Sequence, residues 1–388
     1  MNIVILHRIP YAKVRYDLAI DHARHRVTYL CLDATSAADL PSTADFRLLE
    51  RERFDADHLA ATLAPLWQDA DRIIARSEYD LLAAAQLRER FDIPGERPAA
   101  LLPLRDKWLM RERCRTAGLP QPDYWDAATF AHQAPETGRY LIKPRLEASS
   151  TGIVTGTRAE IAARLAQLDD TGALIVEAFV PGDIFHVDGF IAAGRIVTAV
   201  TSDYVGDCLN YANGAPLGSA QRPADAVALA LAGRTLAALG QRDGSFHFEG
   251  IRDPDGHYWF LETAARVGGA GVAETFELKT GINLYQADLY YQLHAEAPVL
   301  QPREHDHYFG WFVYPGHRYH GPLHVDFDAA RWQDTLRSHQ RNHRPRDSHG
   351  ISYTPGASPL SGVVQGNADA VRHTLQRIFA ETRVSQTA

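Results

Sequence analysis

An α/β fold is what this sequence predicts, and three features carry the prediction. The first hundred residues alternate short apolar runs with helical patterns, as a parallel sheet covered by helices requires. The middle of the chain continues to mix strands and helices, with breaks at Pro181-Gly182 and Ala193-Gly194. At 388 residues the chain is too long for one ordinary core, so two to three domains are expected.

Taken in order, residues 3–6, 27–32 and 72–75 read as buried strands. Charge arrives at His7 and Arg8, too soon for a signal-peptide core. Residues 80–91 repeat apolar positions at helical spacing and stop before Pro94-Gly95. No GxGxxG follows the first strand, so dinucleotide binding is not indicated. Residues 105–117 form a helix ended by Gly118 and followed by Pro120. A strand at 140–143, a loop at 147–152, a helix at 158–168 and a strand at 173–180 follow, broken by Pro181-Gly182. Residues 184–191 turn at Ala193-Gly194 into a strand at 195–201. Residues 203–223 lack periodicity and read as a long functional loop. Helices at 224–239 and 284–294 bracket two strands, and a last helix spans 369–381.

Composition excludes several classes. A net charge of -8 argues against non-specific nucleic-acid binding. No stretch is apolar for long enough to cross a bilayer. Cys31, Cys114 and Cys208 lie far apart and form no CxxC pair, which fits a reducing cytoplasm. The 18 histidines show no HExxH spacing, and His305, His307, His317 and His320 read as surface residues.

Residues 245–249 and 258–262 are aromatic-rich runs flanking an Asp-Gly dipeptide, a strong hairpin signal. With Asp255-Gly256 at the centre of the turn, Glu249 falls opposite Glu262. Opposed carboxylates repel by tenths to about one kcal/mol. A magnesium ion, which takes carboxylate and phosphate oxygens, would reverse that sign. The alternative is two glutamates on a solvated face, with Phe246, Phe248 and Trp259 turned to the core. Lys107 lies near a helix start and Lys143 closes a strand, so two point charges from separate elements could meet phosphates. Ala148-Ser149-Ser150-Thr151-Gly152 supplies small residues whose N–H groups could fold over them.

The order of these motifs resembles the ATP-grasp superfamily of carboxylate–amine ligases, amino-acid and dipeptide ligases among them, from about residue 77 to 294. The resemblance is carried by Arg105-Asp106-Lys107, Ala117-Gly118-Leu119-Pro120, Ile142-Lys143-Pro144, Val176-Glu177-Ala178-Phe179-Val180-Pro181-Gly182, Phe248-Glu249, Leu261-Glu262 and Arg266. It implies a Rossmann-like N-terminal domain (1–100), a small subdomain with phosphate loop and adenine hinge (101–182) and a large subdomain with the metal site (183–388). It implies ATP and Mg2+ as cofactors. Lys107, Lys143 and the loop Ser149, Ser150, Thr151, Gly152 would meet the phosphates. Glu177, Ala178, Phe179 and Val180 would form the adenine hinge, and Glu249 and Glu262 would hold magnesium. Arg266 would be catalytic and substrate-binding, steadying the phosphoryl group, with Gly268 and Gly269 approaching a substrate carboxylate.

Two departures stand out. Ile184 occupies the position of the usual ribose-binding glutamate, so either Asp183 or His186 substitutes or the ribose is held loosely. Ala264 replaces an asparagine that completes the metal site in many members. The chemistry implied is activation of a small carboxylate as an acyl phosphate and its ligation to an amine, with amino acids as substrates, shielded by the 203–223 loop or the subdomain around 120–180. Competing readings are a purine-type or carboxylating ligase, a kinase-like enzyme and an ATP-binding module without turnover. The aromatic and His-rich C-terminal region either lines the acceptor pocket or packs. Family habit points to a homodimer.

Overall fold

The computed structural model describes residues 1–303, 305–345 and 351–387. Strands Asn2–His7, Arg26–Cys31, Asp45–Leu48 and Arg72–Ala75 form a parallel sheet, with Asn2–His7 between Arg26–Cys31 and Arg72–Ala75. Side chains of the first strand alternate between two cores. Val4 and Leu6 pack with Trp67 and the helix Leu81–Arg90, while Ile3 and Ile5 pack with Leu284, Leu289 and Leu293 of the helix Leu284–His294. The first hundred residues therefore need a helix from far along the chain to cover one face of their sheet. Asp45–Leu48 escapes the sequence reading because it is an exposed edge strand without alternation.

A second, antiparallel sheet orders Tyr124–Asp126, Leu174–Ala178, Arg139–Pro144 and Val154–Thr157. The helix Arg158–Leu165 starts on a Thr157–Glu160 capping box and covers this sheet through Ile161 and Leu165.

The third sheet has eight antiparallel strands in the order Tyr258–Ala264, Gly244–Arg252, Asp183–Ala192, Arg195–Val205, Leu217–Arg222, Tyr308–Val313, Leu360–Gly366, Leu336–Arg341. Its second half corrects the expectation of a long loop at 203–223. That segment finishes one strand, makes the short helix Cys208–Ala212, and enters the strand Leu217–Arg222. The strand is hard to see in sequence because its buried residues are small or polar. Ser219 bonds His186, and the Gln221 amide bonds Thr275 O and Phe309 N–H.

The hairpin turn also differs from expectation. Asp253 N–H donates to His257 O, and Gly256 sits at φ 85°, so the loop has an odd length, around Pro254-Asp255-Gly256. An odd loop shifts the pairing by one, and a bulge restores it: Gly250 pairs with Phe260, yet Glu249 pairs with Glu262. The glutamates face each other because Leu261 is the extra residue.

Candidate nucleotide and metal site

One cleft of about 3590 Å³ runs along the carboxyl ends of the parallel strands, the inner face of the small sheet and the glutamate hairpin. A pocket for one drug-sized ligand holds about 300–1,000 Å³, so this cleft has room for a nucleotide and further molecules. Carboxyl ends of parallel strands are where open α/β sheets bind ligands.

The helix Lys107–Thr116 begins on Asp106, whose carboxylate accepts from Trp108 and Leu109 N–H and is clamped by Arg145. That cap sets Lys107 at the first helical turn. Its Nζ donates to Glu147 O at 2.6 Å and stands 3.8 Å from Glu262 Oε2. The 147–152 loop turns through Ser149 and Ser150 at φ 58° and 57°, with Thr151 N–H donating to Ala148 O. Two successive non-glycine residues in the left-handed region store of order 1–3 kcal/mol each, a feature typical of ligand-clamping loops.

Lys143 Nζ lies 2.7 Å from Glu177 Oε2, and Arg111 grips the same carboxylate through Nε at 2.9 Å and Nη2 at 3.2 Å. Burial alone would raise the Glu177 pKa, but the two cations hold it down to about 2. The next hinge residue, Ala178, has its N–H bonded to Asp123 O, which removes it as an adenine donor. Phe179, by contrast, is 45 % exposed and lines the cleft, as do Val180 and Asp183.

Glu249 is buried, and its Oε1 accepts from Tyr204 OH at 2.6 Å and His247 Nε2 at 3.2 Å. Burial works to raise its pKa, yet His247 and Tyr204 keep it below the ordinary carboxylate value. Glu262 is far more open, at 42 % exposed against 9 % for Glu249. With both donors on Oε1, the remaining Glu249 oxygen and the Glu262 carboxylate fit a hard cation between the strands and the lysine-lined cleft.

Behind Glu249 runs a buried polar chain. His247 Nδ1 meets Asp188 Oδ1 at 2.8 Å, the other Asp188 oxygen meets His186 Nδ1 at 2.5 Å, and His186 Nε2 meets Ser219 Oγ at 2.6 Å. This corrects the expectation that His186 faces the nucleotide. It lies on the same sheet face as Glu249, but it is 1 % exposed and both ring nitrogens are taken. The chain at Gly268 packs on the two neighbours in this polar chain: a Cβ there would stand 2.5 Å from Asp188 Oδ1 and 3.0 Å from His247 Nδ1. Internal packing thus requires glycine at 268, and Gly268 also lines the cleft. Gly269, where a Cβ would meet nothing within 4 Å, borders open cleft.

Arg266 Nε lies 2.5 Å from Glu78 Oε2, and Arg105 holds the other Glu78 oxygen. Burial pushes the Glu78 pKa up, but the two guanidinium groups bring it to about 2. Both Glu78 and Glu177 therefore have folded-state values below the usual carboxylate pKa of about 4.3. Their stabilisation is full above that value and is lost as pH falls towards 2. Urea unfolding between pH 5 and pH 3 should show a falling midpoint, with a shallower fall in Glu177→Gln.

The sequence reading missed Glu78, Arg111, Tyr204 and the His247–Asp188 pair as parts of this constellation. In the sequence Arg111 is visible only as a helix residue, and Asp188 and His247 meet only through the pairing of their two strands.

No family model matches the chain. It is 25% identical over 261 residues to the L-arginine-specific L-amino acid ligase of Bacillus subtilis; the match covers 63% of this chain and 63% of that relative, under two thirds of its length. The L-amino acid ligase from Bacillus licheniformis superposes with TM-score 0.74 at 18% identity, over 100% of this chain and 98% of its own. Carboxyaminoimidazole ribonucleotide synthase from Aspergillus clavatus, complexed with ATP, gives 0.70 at 14% identity over 98% and 97%. Phosphoribosylglycinamide synthetase from Anaerococcus prevotii gives 0.68 at 14% over 100% and 99%. Parallel N-terminal sheet, small antiparallel sheet, glutamate-bearing large sheet and whole-length superposition agree: the chain has the ATP-grasp fold.

Proposed function

We propose that the chain is an ATP-dependent carboxylate–amine ligase that activates an amino acid as an acyl phosphate and joins it to an amine, releasing ADP and phosphate. The observation that carries this reading is the facing of Glu249 and Glu262 beside Lys107, in a cleft also lined by Lys143 and Arg266. The match to an amino acid ligase favours amino acids over the sugar-phosphate substrates of the purine enzymes.

In this reading Glu249 and Glu262 hold magnesium, which neutralises phosphate charge when bound. Lys107 and Lys143 attract the phosphates, and residues 149–152 fold over them. Phe179 offers its face to the adenine, Val180 its N–H and Ala178 its carbonyl, with Asp183 beside the ribose. Glu177 acts through Lys143 and Arg111, orienting rather than touching the nucleotide. A carboxylate oxygen attacks the γ-phosphorus as ADP leaves; the amine then attacks the acyl carbon, phosphate departs and the nitrogen loses a proton. Arg266 faces the charge on the transferring group. The acyl phosphate must be kept from water, and with both ends of residues 203–223 tied into the large sheet, the small sheet is the cover.

His247 and Tyr204 hold one Glu249 oxygen and so aim the other. His247→Ala should lower turnover by about 10- to 100-fold, the usual loss for groups that orient a metal ligand, and raise the magnesium concentration needed for half-maximal rate. His247→Asn should recover part of it.

The function is tested by incubating the chain with Mg–ATP and pairs of amino acids, reading ADP and product mass. ADP together with a dipeptide mass is the expected result. ADP only with bicarbonate and 5-aminoimidazole ribonucleotide would move the chain to the purine class, and no ADP with either would make it a binding module. No described helix is long and apolar enough to cross a membrane, and the free cysteines fit a cytoplasmic enzyme. A homodimer is the assembly this family reading favours, countable by sedimentation.

A further inference from the structure

Of the 40 lysines and arginines in the chain, four are lysine: Lys13, Lys107, Lys143 and Lys279. Three of them line the cleft. Lys107 and Lys143 belong to the phosphate end in the reading above; Lys13 has no role in it.

Lys13 stands in the helical turn Tyr11–Val14, just past the carboxyl end of the first parallel strand. It crosses to the large sheet's side of the cleft, where its Nζ donates to Ala270 O at 2.6 Å. Ala270 is itself in the left-handed region at φ 46°, next to Gly269 and its open space.

Lys13 differs from the other buried or half-buried cations of the cleft in having no ion-pair partner among the described residues. Among the described residues, Arg8, Arg15, Arg76, Arg105, Lys107, Lys143, Arg266 and Arg372, all buried or half-buried in the cleft wall, each have a carboxylate partner. Arg51, Arg53 and Arg139 have no such partner but are exposed to water. Lys13 alone is half-buried with only a backbone carbonyl. Burial pulls its pKa down to about 8, helped weakly by the Arg266 charge and opposed more strongly by Glu274, which forms no ion pair with it among the described residues. An ammonium with donors to spare, beside a second cation and a glycine that leaves space, is a site for an anion.

We propose that Lys13 binds the carboxylate of an amino-acid substrate, between the Gly269–Ala270 backbone and Arg266. The assignment rests on the ligase reading for the identity of the anion. It adds a cation from the N-terminal domain to the substrate end of the cleft. The N-terminal domain then recognises substrate as well as supporting the fold.

Reductive methylation, followed by mass spectrometry of the four lysines, tests this without turnover. The chain is held with magnesium and a non-hydrolysable ATP analogue, then exposed to the standard amino acids, to their amides, or to inorganic phosphate. Amino acids at ten times their Kd should slow Lys13 methylation about tenfold, with Lys279, outside the cleft, unchanged. Amides and phosphate should leave Lys13 reactive. Equal protection by the nucleotide analogue alone or by phosphate would make Lys13 a phosphate ligand and overturn the proposal, as would no protection by any amino acid. For amino acids that support ADP release, Lys13→Gln should raise the KM for the acid about tenfold with the KM for ATP unchanged, and Lys13→Arg should recover part of it. A chain that binds amino acids at Lys13 yet releases no ADP would sink the ligase reading and leave this one standing.

Discussion

Glu249→Ala should lower ADP release by about 10³-fold, the scale of loss when a preorganised charge-stabilising group is removed from a site of phosphoryl or acyl transfer. The carboxylate is buried, with Oε1 occupied by Tyr204 and His247, so alanine also strips those two donors of their acceptor. Glu249→Gln separates the two losses. An amide oxygen can still accept from Tyr204 and His247, but it carries no charge to offer a divalent cation. The glutamine variant should therefore keep a thermal midpoint near that of the unaltered chain and still lose nearly all ADP release. Near-normal turnover in the folded glutamine variant would mean that the metal is held elsewhere.

Arg111→Ala should be the most destabilising single change behind the cleft wall, at about 3–5 kcal/mol. Arg111 is 2 % exposed and makes contacts of three kinds. It forks onto Glu177, donates to Leu261 O at 2.6 Å, and lays its guanidinium over the Phe260 ring. Removing it leaves Glu177 buried with Lys143 as its only ion-pair partner among the described residues. It also frees the carbonyl of the bulge residue that sets Glu262 opposite Glu249. Stability and magnesium dependence should fall together, measured by urea unfolding and by ADP release against magnesium concentration. Loss of stability with unchanged magnesium dependence would show that the bulge holds its register unaided.

Much of this arrangement is legible in the sequence, and the parts that are not share a physical cause. Apolar strands such as Asn2–His7 and the helix Leu284–His294 declare themselves by period and composition. The strand Leu217–Arg222 does not, because Gly218, Ser219 and Gln221 are buried by virtue of partners that lie far away in sequence. Asp45–Leu48 and Leu336–Arg341 are edge strands with mostly exposed side chains, so they carry no inward-outward pattern. The facing of Glu249 and Glu262 follows from the sequence, but by a turn of the wrong length whose offset the Leu261 bulge cancels. Strand alternation puts His186 on the correct sheet face, and it cannot reveal that Asp188 and Ser219 take both ring nitrogens. Lys13 does have a signal in the sequence: lysine is so scarce here that each one invites a question.

Isotope transfer tests the central claim most directly. An amino acid carrying 18O in its carboxylate is supplied with Mg–ATP and an amine, and the released phosphate is weighed. Activation through an acyl phosphate predicts that inorganic phosphate gains one labelled oxygen for each amide formed, with ADP as the other product. Unlabelled phosphate alongside amide formation, or AMP and pyrophosphate in place of ADP, would contradict it.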